Sequence, residues 1–477
     1  MKLWRCERET TTQGAAGRKL TETKRRQTVT IERRRVVLGA LAVLGSVAST
    51  WRPSGAQTAT LKSPENGTSQ LVDLGEVREI EEAGAPVDWF REDWNFDADA
   101  FALPKSALEA IDASLDALAA RQNLDGSFGS DAELFGRDPG VAGLCGLAFL
   151  AAGSAPGRGR FGGELEKIIG YIMSHSFDAE TKGGDLNDRT ILNYLKENGL
   201  SKNEIDGFVA NFREKGRKLM YGHGFATMFL AATLGAGTRD ERSEIRERTR
   251  AAVELIVRAQ NADGGWRYEP KNVPVADLSV TVCQLSALRA ARDAGIFVPN
   301  ATVEKAVAYV ERCQNSDGGF RYMTLDGPSG IARTAAAILA LQSGGADDSK
   351  AVAAAFRYLE KTAPIASSVG VKPRATNSSE RRETEANAAN EIPRLPTTRI
   401  EYYFYGEFYA ALAYWRSARD AASKERWARW ARRAYPNLLS RRGDDGLWRS
   451  NVSTDAETAF VLCALSTPFE RAPFFLR

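Results

Sequence analysis

Apolar residues recur at three- and four-residue spacing along most of the chain, as in Ala252, Leu255, Ile256 and Ala259 ahead of Gln260. That period puts a single apolar stripe on an α-helix. Between such stretches lie runs that are apolar on nearly every side, at residues 141–152, 223–234, 278–291, 331–342, 405–415 and 456–465. A helix with no polar face has to be buried all round, so these runs predict inner helices. The more polar helices that precede them end near Arg121, His175, Ala259, Cys313, Lys361 and Leu439. Six amphipathic helices alternating with six apolar ones predict six helical hairpins, and that number is enough to close a ring.

The hairpins share a punctuation mark. Gln-Asn-x-Asp-Gly-[Gly/Ser]-[Phe/Trp] occurs at residues 122–128, 260–266 and 314–320, with a degraded copy at 442–448. A glycine there supplies the positive φ that helix termination requires. Gln260-Asn261-Ala262-Asp263-Gly264-Gly265-Trp266 is similar to the Gln…Gly-x-Trp repeat of squalene-hopene cyclases and to the matching repeat of protein prenyltransferase β-subunits. As a pattern the likeness covers most of residues 105–470. It implies an all-α fold, an α/α toroid of about six helical hairpins in a single barrel. It also implies that the glutamine caps the outer helix while the aromatic ring stacks against its end.

Two segments break the rhythm. Residues 188–219 insert a polar helical excursion with a capping box at Ser201-Lys202-Asn203-Glu204, and residues 366–396 read as a loosely held polar loop. Either could cover one mouth of the ring. Residues 57–104 form a lead-in whose Trp89, Phe90, Trp94 and Phe96 are expected to lie against the outside of the toroid.

Charge points to a leader rather than to a polyanionic partner. The chain carries a formal +3, but residues 1–56 hold 12 of its Lys and Arg and only 4 of its Asp and Glu, so their removal leaves about −5. Nothing in the body argues for nucleic acid. Arg34-Arg35 before the apolar run 36–47 resembles a twin-arginine export signal, with Arg33 where Ser or Thr is usual. That run falls short of the about 20 residues that span a bilayer, so an exported, periplasmic or extracellular chain without a transmembrane span is expected. Cys145, Cys283, Cys313 and Cys463 form no Cys-x-x-Cys pair and read as buried thiols, with a disulfide as the alternative.

The resemblance implies a cavity lined by the N-terminal ends of the inner helices. Tyr221, His223, Asp277, Arg333, Tyr403, Tyr405, Glu407, Asp455 and Glu457 are its candidate residues. Squalene-type cyclases protonate an alkene with the central acid of Asp-x-Asp-Asp-Thr-Ala. The nearest string, Asp455-Ala456-Glu457-Thr458-Ala459, is one acid short, and helix capping by Thr454 or Asp455 is the reading it favours. The zinc site of prenyltransferases needs an Asp-x-Cys pair that this chain lacks, so no metal or other cofactor is expected. His223 is either a proton partner or a hydrogen-bonded structural histidine. The aromatics from Tyr402 to Trp415 are either a cation-stabilising wall or core. Three functions follow: binding of an apolar, peptide or glycan ligand in the cavity, a divergent terpenoid cyclase or lyase using Asp455 or Glu457 with His223, and a protein-interaction scaffold.

Overall fold

The computed structural model describes residues 87–89, 91–130, 137–175, 185–186, 219–235, 239–367, 402–449 and 453–471. The leader, most of the lead-in with Phe90, the Ser201 to Glu204 box and nearly all of both insertions lie outside them. Twelve α-helices occur among the described residues. The outer ones are α1 (Lys105–Ala119), α3 (Gly162–His175), α5 (Arg239–Ala259), α7 (Asn300–Arg312), α9 (Lys350–Ser367) and α11 (Ala421–Leu439). Alternating with them are the inner ones: α2 (Pro139–Ala151), α4 (Leu219–Thr233), α6 (Leu278–Asp293), α8 (Ile331–Ser343), α10 (Tyr403–Ser417) and α12 (Thr454–Ser466).

Each inner helix packs on the next, and α12 packs back on α2, so the inner ring closes. The expected toroid is therefore present. All thirteen residues of α2 are buried, as its unbroken apolar composition demands. Small residues let neighbouring inner helices approach: a Cβ on Gly140 would overlap the backbone of Gly222 in α4. The outer helices keep one apolar stripe against this ring and expose the other face. None of the described helices is long and apolar enough to cross a membrane.

The repeat does more than end a helix. Gln260 Nε2 donates to Gly264 O at 2.8 Å and also to Thr302 O at 2.8 Å, in the first turn of the next outer helix. Gln122 reaches Glu164 O at 3.0 Å and Gln314 reaches Ala351 O at 2.8 Å in the same way. The glutamine is thus a strut between successive outer helices, which corrects the expectation that it caps its own. Capping is local and visible in a sequence, whereas the strut's second partner stands 37 to 42 residues further on. The aromatic ring does lie back on its own helix, with Trp266 Nε1 donating to Ile256 O at 2.7 Å and Trp448 Nε1 to Leu438 O at 2.6 Å. In the degraded copy Arg442 replaces the glutamine and its Nε reaches Ser114 Oγ of α1 at 2.8 Å, which closes the outer ring. The two outer helices without the motif, α3 and α9, are those followed by the insertions.

Outside the ring, Trp94, Phe96 and Phe101 pack edge-on against Tyr435 of α11, and Phe101 also meets Trp427. Cys145, Cys283, Cys313 and Cys463 are all buried and unbridged.

Candidate functional site

Every outer helix runs toward one end of the toroid and every inner helix starts there, so six helix N-termini surround that mouth. At the start of α6, Asp277 is fully buried and its Oδ1 accepts from Val280 N at 2.9 Å and Ser279 Oγ at 2.8 Å, as an N-cap should. Its Oδ2 is buried too, with no hydrogen-bond partner among the described residues. Burial pushes the carboxyl's pKa up, against the opposing pull of Val280 N–H, Ser279, Arg267 and Tyr322.

Tyrosines surround this acid. Tyr221 of α4 stacks on Tyr268, their centroids 6.4 Å apart, and the hydroxyls of Tyr268 and Tyr322 share a short hydrogen bond. Tyr405 of α10 stands across the ring from α4, yet it lies near both Tyr221 and Asp277. Four residues deeper along α4 lies Phe225, about one turn or roughly 6 Å below Tyr221. Phe225 meets Phe460 of α12 at 5.8 Å, and Phe460 in turn meets Phe408 at 5.1 Å and Tyr405 at 5.8 Å. Because α4 and α12 are not ring neighbours, that contact runs across the interior and gives the tyrosine cluster an aromatic floor. Glu457, 2% exposed, sits three residues before Phe460 and so on the same face of α12.

The structure therefore brings together Tyr221, Asp277 and Tyr405 among the sequence candidates, with Glu457 on the α12 face that carries Phe460. The others point elsewhere. His223 lies a full turn inside α4 rather than opening it, and its Nε2 contacts Ala252 O of outer helix α5 at 3.1 Å. Its Nδ1 accepts from Leu186 N at 3.4 Å, an arrangement that matches a neutral ring with the proton on Nε2. Asp455 pairs with Arg121 at the end of α1. It is not the helix cap, nor is Thr454; Ser453 caps α12 through Ala456 N at 3.3 Å. Glu407 accepts from Trp430 Nε1 of outer helix α11 at 3.1 Å, Arg441 covers the Tyr403 ring at 4.7 Å, and Arg333 donates to Pro328 O at 3.0 Å.

Sequence reading missed Tyr268 and Tyr322, and held Tyr409 only as one member of the aromatic run from Tyr402 to Trp415. For the first two a signal existed, because [Trp/Phe]-Arg-Tyr extends the heptapeptide in its second and third copies, at 266–268 and 320–322. In those copies the tyrosine carbonyl also holds an inner helix start, Tyr268 O accepting from Met220 N at 3.1 Å and Tyr322 O from Leu278 N at 2.9 Å.

Residues 227–368 match the squalene-hopene cyclase C-terminal domain family. The described residues form an α/α toroid, and this stretch of it is similar to that family. Solved structures similar to this toroid include two variants of type II terpene cyclase MstE from Scytonema, each in complex with geranylgeranyl dihydroxybenzoate. One is 13% identical with a TM-score of 0.43, covering 77% of this chain and 98% of that one. The other is 14% identical with a TM-score of 0.41, covering 77% and 97%. A sequence search of curated proteins finds no match.

Three threonines recur at corresponding places in the repeat. Thr281, Thr334 and Thr458 play one role: each hydroxyl accepts the backbone N–H of a repeat aromatic, Trp266, Phe320 and Trp448, at 3.0 to 3.1 Å. With Asp-x-Asp-Asp-Thr laid on these threonines, its first acid would fall on Asp277 of α6 and its third on Glu457 of α12. The central position holds Ser279, Ala332 or Ala456, so the acid that family uses on the alkene has no counterpart in any of the three.

Proposed function

We propose that this protein binds an apolar, isoprenoid-like molecule at the mouth of its inner ring, against the aromatic floor and beside the Asp277 carboxyl. One observation carries this reading: a fully buried acid, with an oxygen lacking any partner among the described residues, set among tyrosines from three different elements. Such a site suits a molecule that is mostly hydrocarbon, since rings supply area and few polar groups fix orientation. The match of residues 227–368 to the squalene-hopene cyclase domain supports the ligand class.

Catalysis as a divergent terpenoid cyclase is the second reading, and the raised pKa of Asp277 favours it. A carboxyl that burial helps to hold in its protonated form can pass its proton to an alkene carbon. The carboxylate left behind would be held by Val280 N–H and Ser279, and the tyrosine faces would stabilise the carbocation. Loss of a proton from the cyclised cation back to the carboxylate would close the balance. Export through the Arg34-Arg35 leader belongs to the same proposal, and sequencing the N-terminus of secreted protein tests it.

Native mass spectrometry of the purified protein tests the binding reading, with co-purified lipid expected. Phe225→Ala with Phe460→Ala should release it while the fold persists by circular dichroism. Retention of the same lipid by that variant, or its absence from the wild type even after incubation with isoprenoids, would overturn the reading. Asp277→Asn separates the two readings: binding without turnover is expected of a cyclase, and unchanged turnover would remove Asp277 from the chemistry.

A further inference from the structure

Two hydroxyls in the ring interior are left over. Tyr405 and Tyr409 lie one turn apart on α10, with ring centroids 4.6 Å from each other. Tyr409 is 1% exposed and the Tyr405 hydroxyl is also out of solvent, yet apart from a contact with each other neither hydroxyl meets a hydrogen-bond partner within the described residues. Both lie near the Cys283 thiol on α6, a helix that is not a ring neighbour of α10, so both face inward. Their other neighbours are Phe408 and Phe460. Keeping two tyrosine hydroxyls in such surroundings with no partner but each other is costly, and phenylalanine would fill the same space at no such cost.

We infer that Tyr405 and Tyr409 form a paired donor site for an oxygen atom of the bound molecule, so that the ligand is an isoprenoid-like alcohol or carbonyl compound rather than a hydrocarbon. This rests on the proposed binding reading and names its ligand class. The pair is placed for it: the Tyr405 ring is perpendicular to Phe460 on the floor, while Asp277 stands close by at the mouth. An oxygen seated between the hydroxyls would have its hydrocarbon remainder against the floor.

Binding of farnesol and of the hydrocarbon farnesene to the full chain, followed by tryptophan fluorescence, provides the test. Wild-type protein should prefer farnesol by about tenfold or more, as expected for hydrogen bonds from two buried donors. The double variant Tyr405→Phe/Tyr409→Phe should lose that preference while holding farnesene as before. Its melting temperature without ligand should be unchanged or higher, because it removes unmet donors. Equal wild-type affinities, a preference that survives in the double variant, or a marked fall in its melting temperature would each overturn the inference and leave the binding reading standing. Failure of both probes to bind the wild type would defeat the binding reading itself, and the inference with it.

Discussion

Arg121 and Asp455 stand 334 residues apart and form an ion pair that joins the end of the first outer helix to the start of the last inner one. Asp455 is wholly buried and the arginine side chain is 32% exposed, so the acid depends on its partner more than the base does. Asp455→Asn should lower stability by about 1–3 kcal/mol, below the figure for a fully buried pair because of Arg121's exposure. Replacing both, Arg121→Met with Asp455→Leu, should recover much of the loss. Urea unfolding measures this, and ligand content should not change in either variant.

The strut and the turn of the repeat separate by size of effect. Gln260→Ala removes two donated hydrogen bonds and should cost about 1–2 kcal/mol. Gly264→Ala should cost more, since φ is +93° and a Cβ there would overlap the Lys305 carbonyl of α7. Thermal melts of the two variants rank them. A glutamine variant less stable than the glycine one would contradict the strut geometry.

His223 gives a pH signature. Its folded pKa is lowered chiefly by burial, against Asp185 and the Ala252 carbonyl, which favour the charged ring. The sign follows: the neutral ring's contribution is complete above the ordinary value of 6.5 and is lost as pH falls through the lower folded value. His223→Gln should be less stable than wild type at pH 7.5, and the gap should narrow below pH 6.5. Urea midpoints across that window check it.

Asp277 has the opposite signature. Its folded pKa is raised by burial, so the benefit of the protonated form is full below the ordinary 3.8 and fades as pH rises through the folded value. The groups facing it include Arg267, Tyr322, Ser279, Tyr221, Tyr268, Tyr405, Tyr309 and Cys313. Asp277→Asn keeps a cap-competent side chain, so it should match wild type in acid and gain on it towards neutral pH. Paired urea titrations from pH 3.5 to 7.5 give the difference directly.

The ring could be read from the chain because its causes are local. Period, all-round apolarity and the Asp-Gly turn each act within a few residues, and Leu278–Asp293 or Ile331–Ser343 starts and stops nearly where the pattern says. The direction a side chain takes from an inner helix is a different matter. His223, Asp455 and Glu407 turn to partners on outer helices, while Tyr221, Asp277 and Tyr405 turn inward. With apolar residues on every side of the helix, no stripe marks which face is inner, and the deciding partners lie 23 to 334 residues away.

The central claim is that an apolar molecule sits in the mouth of the inner ring, above Phe225 and Phe460. Photo-crosslinking with a diazirine-bearing farnesol, read out by peptide mass spectrometry, addresses it at residue level. Labelling should fall on peptides containing Tyr221, Tyr405 or Phe460 and be competed by unlabelled farnesol. Labelling confined to the outer helices, or indifferent to competitor, would contradict it.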